Sequence, residues 1–223
     1  MSRPALPLIF AALLFSSCYY GAMQGARTLG KGHINLTGGV TLPAYFSTAD
    51  KREAESSRED YLEVYPAFSF AIGATDRVDL AVTSFGYGVG PSVKYAFLNP
   101  EGATAVSALL DMNFVVPAQV MMPRLSLCVG RLVGQDLEAF AGVDVGYGPD
   151  LANIPKTEGD TFDWDNVDNT LFSCVRAGCR YELRPPGGAN AEKKWLPEAV
   201  MFQFSIPLDL SRSMILAGIG VSY

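Results

Sequence analysis

The chain has 223 residues, of which 49% are hydrophobic and only 18% charged, and its formal net charge is −6. This apolar composition excludes a disordered chain, and the length suits a single all-β domain. The acidic balance, without a basic stripe, argues against a nucleic-acid partner, because phosphate binding requires clustered Lys and Arg. No run of about 18 apolar residues follows residue 20, so no membrane-spanning helix is predicted.

The N-terminus resembles a secretory signal peptide over residues 1–17. Arg3 precedes an apolar stretch, 5–15, and two small residues follow it. Cys18 comes next, as in bacterial lipoprotein signals, in which the cysteine becomes the diacylated N-terminus. The resemblance implies lipidation of Cys18 and, since neither following residue is acidic, location in the outer membrane. The alternative is an ordinary signal peptide cleaved near the same point. We interpret residues 18–32 as an N-terminal tether.

From Lys31 onward the hydrophobic pattern has a period of two, which predicts β-strands separated by turns rich in Gly, Pro, Asn and Asp. The predicted strands cover residues 33–46, 61–75, 78–86, 89–98, 104–117, 121–133, 137–147, 170–183, 198–209 and 213–223. For residues 78–98 the alternative is a single bent strand, which would leave an odd number of strands.

One face of these strands carries almost no charge, as in Leu137 to Tyr147, where the odd positions are all uncharged. The other face is mostly Gly, Ser, Thr and Ala, and several strands reach the ~9–11 residues that a tilted membrane strand needs. Residues 33–223 are therefore predicted to be an all-β domain, an antiparallel up-and-down transmembrane β-barrel of about 10 strands (roughly 8–12). The rival fold is a secreted soluble β-sandwich or a lipocalin-like ligand-binding lipoprotein, whose strands would alternate as well.

The last strand ends in Ile219, Val221 and Tyr223, which alternate with small residues. This resembles the C-terminal strand of bacterial outer-membrane barrels, which the barrel-insertion machinery recognises by its final aromatic residue. Residues 26–32 and 65–95 are also similar to small bacterial outer-membrane β-barrel proteins of uncharacterised type. The resemblance implies a fold, outer-membrane lipid as surroundings and the insertion machinery as partner, but no activity.

Ten charged residues fall on the face opposite the uncharged one and are predicted to point into the barrel. They are Glu63, Asp79, Lys94, Asp111, Arg124, Glu138, Asp144, Arg176, Arg180 and Glu182. One interpretation is a paired polar interior, because buried charges require partners. The other is a narrow pore or binding cavity whose selectivity these charges set. A barrel of about ten strands is only slightly larger than a filled eight-stranded one, which favours a packed or narrow lumen.

The sequence shows no credible active site. Its single histidine, His33, removes most His-based catalysis, and no motif joins it to Asp79 or Asp111. The acidic segment 160–168 lacks the Gly and the final Glu of a calcium-binding EF-hand loop, so we interpret it as a solvated external loop. We predict a structural, binding or narrow-pore protein that is not an enzyme and has neither metal nor cofactor. A small solute or a surface partner is possible and stays unidentified.

Overall fold

The computed structural model describes residues 24–45, 65–85, 88–98, 102–149, 163–184, 196–208 and 214–223. Over these residues ten strands close into a barrel in which each strand pairs antiparallel with its sequence neighbours, and the first pairs with the last. The strands are β1 (Ile34–Tyr45), β2 (Tyr65–Gly73), β3 (Val78–Phe85), β4 (Gly88–Ala96), β5 (Thr104–Val115), β6 (Val120–Leu132), β7 (Leu137–Pro149), β8 (Asn169–Glu182), β9 (Ala199–Pro207) and β10 (Met214–Ser222). No helix in the described part of the chain is long and apolar enough to cross a membrane.

The predicted antiparallel up-and-down barrel of about ten strands is confirmed. β3 and β4 pair with Phe85 opposite Gly88, so residues 78–98 form a hairpin and the single bent strand is wrong. The second strand is described from Tyr65 onward, and its predicted start at residue 61 lies outside the described residues. Residues 61–64, like residues 1–23, lie outside the described part of the chain, and the predictions for the signal peptide, Cys18 and Glu63 therefore concern residues that are not described.

β1 begins and β10 ends at the same end of the barrel, which we call the terminal end. Ile34 pairs with Ile72 and Thr37 pairs with Ser222, so β1 begins where β2 and β10 stop. The turns at 74–77 and 133–136 lie at this end, because they join β2 to β3 and β6 to β7.

Burial in the barrel is inverted relative to a soluble protein. On β7 the side chains of Val143 and Val145 point outward and are each 42% exposed, while Asp144 between them is 2% exposed. The same alternation holds on other strands of the barrel. Their exposed outward residues include Leu80, Val82, Val93, Leu110, Leu125, Leu127, Val175, Phe202, Phe204 and Ile206. Soluble monomers rarely expose contiguous apolar patches larger than roughly a few hundred Å². The outer surface is therefore of the kind that hydrocarbon, not water, covers.

Outward-facing aromatic residues cluster near the terminal end. Tyr95, Phe97, Tyr181 and Tyr223 are each at least 43% exposed there, and the rings of Tyr95 and Phe97 meet edge to face with centroids 5.3 Å apart. Membrane barrels carry such aromatic girdles where hydrocarbon meets the lipid headgroups. The terminal end therefore has the chemistry of a membrane interface.

The pairing of β4 with β5 includes a close approach of two backbones. The ladder joins Val89 to Phe114 and Ser92 to Asp111 and skips the residues between them. A Cβ atom added to Gly90 would overlap the carbonyl group of Met112 and lie 2.8 Å from the Cα atom of the next residue. Only glycine fits at position 90 without a backbone shift.

We expect Gly90→Ala to lower the free energy of unfolding by about 1–3 kcal/mol, the usual cost of overpacking. Gly38→Ala is the matched control, because a Cβ atom at Gly38 would meet nothing within 4 Å. Urea unfolding of the two variants in detergent micelles measures both effects. Equal stability of the two variants would show that β4 and β5 do not approach as closely as described.

Candidate functional site in the barrel lumen

Nine of the ten charged residues assigned to the lumen lie in the described part of the chain, and all nine face the barrel interior. Seven of them are buried, namely Asp79, Lys94, Asp111, Arg124, Glu138, Asp144 and Arg176. Arg180 and Glu182 are partly exposed near the terminal end, where Nη1 of the arginine lies 3.1 Å from Oε1 of the glutamate. The lumen is therefore polar and dense in charges of both signs.

One buried ion pair joins β5 to β6. Arg124 stands opposite Asp111 in the strand register, and its Nη2 and Nε atoms donate to Oδ2 of the aspartate at 2.5 and 3.0 Å. The hydroxyl of Thr83 donates to the other carboxylate oxygen at 3.2 Å. Both carboxylate oxygens therefore have partners, as a charge in the barrel interior requires.

A second ion pair joins β7 to β8. Arg176 Nε lies 3.3 Å from Oδ2 of Asp144, and the thiol of Cys174 donates to the same oxygen at 3.4 Å. Arg176 stands opposite Gly142 in the register, and a Cβ atom on that glycine would lie 3.2 Å from Arg176 Nε. The absence of a side chain at residue 142 therefore makes room for the guanidinium group.

The N-terminal residues 24–32, which we call the luminal segment, extend from the barrel interior, where Gly25 and Ala26 are buried, to the rim, where Lys31 and Gly32 are exposed. Ala26 is fully buried in a small apolar cluster whose other members are Ala105, Cys128, Phe140 and Met201, with Ala67 packed against it. Residues 24–32 belong to the stretch 18–32 that we interpret as an N-terminal tether, of which residues 18–23 lie outside the described part of the chain.

Two carboxylates of the wall accept hydrogen bonds from the main chain of the luminal segment. The Leu29 N–H donates to both oxygens of Asp79, at 3.0 and 3.1 Å, and the Ala26 N–H donates to Oε1 of Glu138 at 3.2 Å. Hydrogen bonds to a charged group contribute about 1.5–3 kcal/mol each. These two acidic residues therefore hold the segment through atoms that every residue except proline possesses.

Two cations of the wall bind the carbonyl groups of the same segment. Lys94 Nζ donates to the Arg27 carbonyl oxygen, and Arg176 Nη1 donates to the Gln24 carbonyl oxygen at 2.9 Å. Arg176 thus connects the ion pair with Asp144 to the luminal segment. Four of the charges predicted for the lumen therefore bind the chain's own backbone.

The luminal segment is also fastened at the rim of the terminal end. Thr28 Oγ1 donates to the Asp76 carbonyl oxygen at 2.8 Å, and Arg27 Nη2 donates to the Gly102 carbonyl oxygen at 2.6 Å. Gly30 and Gly32 then adopt φ angles of 83° and 79°, which only glycine reaches easily, and the chain turns into β1. The segment therefore runs from the middle of the lumen, near Arg176, to the rim.

A cavity of about 400 Å³ remains at the terminal end, between the luminal segment and the wall. Both signs of charge line it, including Lys94 and Glu138 as well as Arg180 and Glu182. His33, exposed at the rim, lines the same cavity.

The residues predicted as an insertion signal lie on the outer face of β10. Ile219 and Tyr223 are 44% and 48% exposed, and Val221 between them is partly buried. Tyr223 pairs through its backbone with Leu36 of β1, at 2.8 and 2.9 Å, so the last residue helps to close the barrel.

Of the acidic segment 160–168, residues 163–168 are described. A short 3₁₀ helix, Trp164–Asn166, follows Asp163, whose Oδ2 accepts a hydrogen bond from Nδ2 of Asn166 at 2.7 Å. Within the described ranges no group of three or more His, Cys, Asp or Glu side chains is placed to hold a metal ion.

Comparison with known proteins gives similar folds at low scores. No protein-family model matches the chain, and no curated protein matches it. The N-terminal β-barrel domain of Pseudomonas aeruginosa OprF is similar at 13% identity and a TM-score of 0.30, covering 86% of this chain and 100% of that one. The outer membrane channel DcaP of Acinetobacter baumannii is similar at 10% identity and a TM-score of 0.23, covering 89% of this chain and 99% of that one. At such scores the likeness carries no functional argument, and strand pairing and burial alone define this chain as a β-barrel of the transmembrane type.

Proposed function

We propose that the protein is a bacterial outer-membrane β-barrel with a structural role, whose lumen is filled and does not serve as a solute channel. The inverted burial carries this proposal, because apolar side chains cover the outside while charges are buried inside. Closure of β1 onto β10 leaves no sheet edge unpaired, as hydrocarbon demands of any structure that spans it.

The contents of the lumen favour a structural role over a pore. The charges that could set ion selectivity are already engaged, Asp111 with Arg124 and Asp144 with Arg176. Asp79, Lys94 and Glu138 hold the main chain of the luminal segment. A conducting pore needs polar groups that are free to contact ions along a continuous water path. A structural barrel needs no such path.

A lipocalin-like carrier requires the opposite arrangement. Such a protein binds an apolar ligand inside an apolar barrel and shows water a polar exterior. Here Arg124 is 3% exposed in the interior, whereas Phe204 is 56% exposed on the outside. This contrast supports the membrane barrel over the soluble carrier.

Export and anchoring complete the proposal. Lipidation of Cys18 would add an acyl anchor in the outer membrane, and Ile219, Val221 and Tyr223 would be recognised by the barrel-insertion machinery. The terminal end would then face the periplasm, since the last strand, with its insertion signal, ends there. Outer-membrane lipid is the expected surrounding of the apolar outer face.

Semi-native gel electrophoresis of the Cys18→Ala protein, refolded into detergent micelles, tests the proposal. We expect a band that migrates differently before and after heating, β-type circular dichroism and a continued need for detergent. The Cys18→Ala substitution removes any acyl chain, so a detergent requirement would come from the barrel surface alone. A protein that stays folded and soluble without detergent would overturn the membrane assignment.

A further inference from the structure

We propose that the wall of the lumen is a binding site for an extended peptide, and that the luminal segment occupies it as an intramolecular ligand. The inference rests on the filled lumen of the proposed function and deepens it, because it names what the buried charges recognise. The ligand class is an extended peptide with two consecutive small residues.

The first argument is that recognition inside the lumen goes through main-chain atoms. Along the segment, the wall binds the carbonyl of Gln24, the N–H of Ala26, the carbonyl of Arg27 and the N–H of Leu29. Each of these bonds comes from a different charged side chain, and the acidic ones meet N–H groups while the basic ones meet carbonyls. Any extended peptide that can be placed in this register offers the same four groups.

The second argument is that the wall selects size at two positions. A Cβ atom added to Gly25 would lie 2.6 Å from Oε2 of Glu138, so a side chain there would displace the carboxylate that accepts the Ala26 N–H. Opposite Ala26 the wall has Gly130, and a Cβ atom there would lie 2.8 Å from the Cβ atom of Ala26. Ala26 is fully buried and its methyl group fills the space that Gly130 leaves, which we call the Gly130 notch, so a larger side chain at residue 26 would have to displace side chains of the wall.

The third argument is that the segment's own side chains bind mainly at the rim. Arg27 and Thr28 donate to carbonyls of the turns at the terminal end, outside the main-chain site. Inside the lumen the Gln24 side chain makes one long bond, 3.4 Å, to Ser69. The interior contacts are therefore generic for peptide, and the rim contacts are specific to this chain.

An anisotropy experiment with the full chain tests the proposal. The Cys18→Ala protein and its Ala26→Glu variant are refolded into micelles, and a fluorescent, N-acetylated peptide of residues 24–32 is titrated into each. The charged side chain at residue 26 does not fit the Gly130 notch, so the variant's own segment leaves the site and the added peptide enters it. We expect binding to the variant about ten-fold or more tighter than to the parent, whose own segment competes at an effective concentration of ~mM.

Two controls make the result specific. A peptide with Val at both positions 25 and 26 is expected to bind neither protein, because these side chains do not fit beside Glu138 and Gly130. If the Ala26→Glu chain does not fold, an Arg27→Ala/Thr28→Ala variant, which loses only the rim bonds, replaces it and is expected to bind the peptide more tightly than the parent.

The outcomes separate this inference from the proposed function. Suppose that the variant that folds gives a heat-modifiable band and yet binds the peptide no better than the parent protein. That result would overturn the peptide site while leaving the membrane barrel intact. Equal binding of the bulky and the native peptide would overturn it as well, since the notch would then select nothing. A parent protein without a heat-modifiable band would instead contradict the barrel itself.

Discussion

Asp111→Ala is expected to lower the free energy of unfolding by about 3–5 kcal/mol, the usual cost of removing one partner from a buried ion pair. The substitution leaves Arg124 in the barrel interior without the carboxylate that accepts two of its hydrogen bonds. Urea unfolding of the barrel in lipid vesicles, followed by the heat-modifiable band on gels, measures the loss.

A double variant separates the missing charge partner from simple loss of packing. Asp111→Leu combined with Arg124→Met replaces the pair by apolar side chains, which is often neutral or stabilising. We expect it to recover most of the stability lost in the single variant. As a charge control, Asp165→Ala removes an exposed acid and should have almost no effect. A double variant that is no more stable than Asp111→Ala would refute the buried pair.

Val143→Arg is expected to destabilise the barrel by about 2–4 kcal/mol, the cost of a lipid-facing arginine at mid-depth. Val143 is outward-facing in the middle of β7 and lies opposite Leu127 of β6, another outward-facing residue. Vesicle-based unfolding by urea again gives the size of the effect.

The matched control is Val133→Arg, in the turn between β6 and β7 at the terminal end. Val133 is 57% exposed, so its arginine would lie near the headgroups and should cost only about 0–1 kcal/mol. The difference in unfolding free energy between the two arginine variants is the informative quantity, because a soluble protein would tolerate arginine at both exposed positions. Equal effects of the two substitutions would contradict a membrane-spanning outer face.

The strands could be predicted because each carries its own two-residue pattern. β7, predicted at 137–147 and observed at Leu137–Pro149, alternates without a break, so the sequence identifies both of its faces. The strand parity also points Asp144 and Arg176 into the lumen. Their pairing could not be predicted, because it depends on the register between β7 and β8, which no single strand encodes.

The luminal segment could not be predicted because it has no periodic pattern. Its position depends on bonds to side chains far along the chain, such as Glu138 and Arg176. The available signals were local and weak: the small pair Gly25 and Ala26, and the two glycines that turn the chain into β1. Small residues fit many environments, so only the folded barrel shows that they fill its interior.

Ion conductance across planar lipid bilayers tests the filled lumen most directly. The Cys18→Ala protein, first shown to give a heat-modifiable band, is added to the bilayer and the single-channel current is recorded. The ion pairs and the luminal segment occupy the described part of the lumen, so we expect no steady conductance steps. Stable, reproducible steps from the folded protein would contradict the filled lumen and favour a pore.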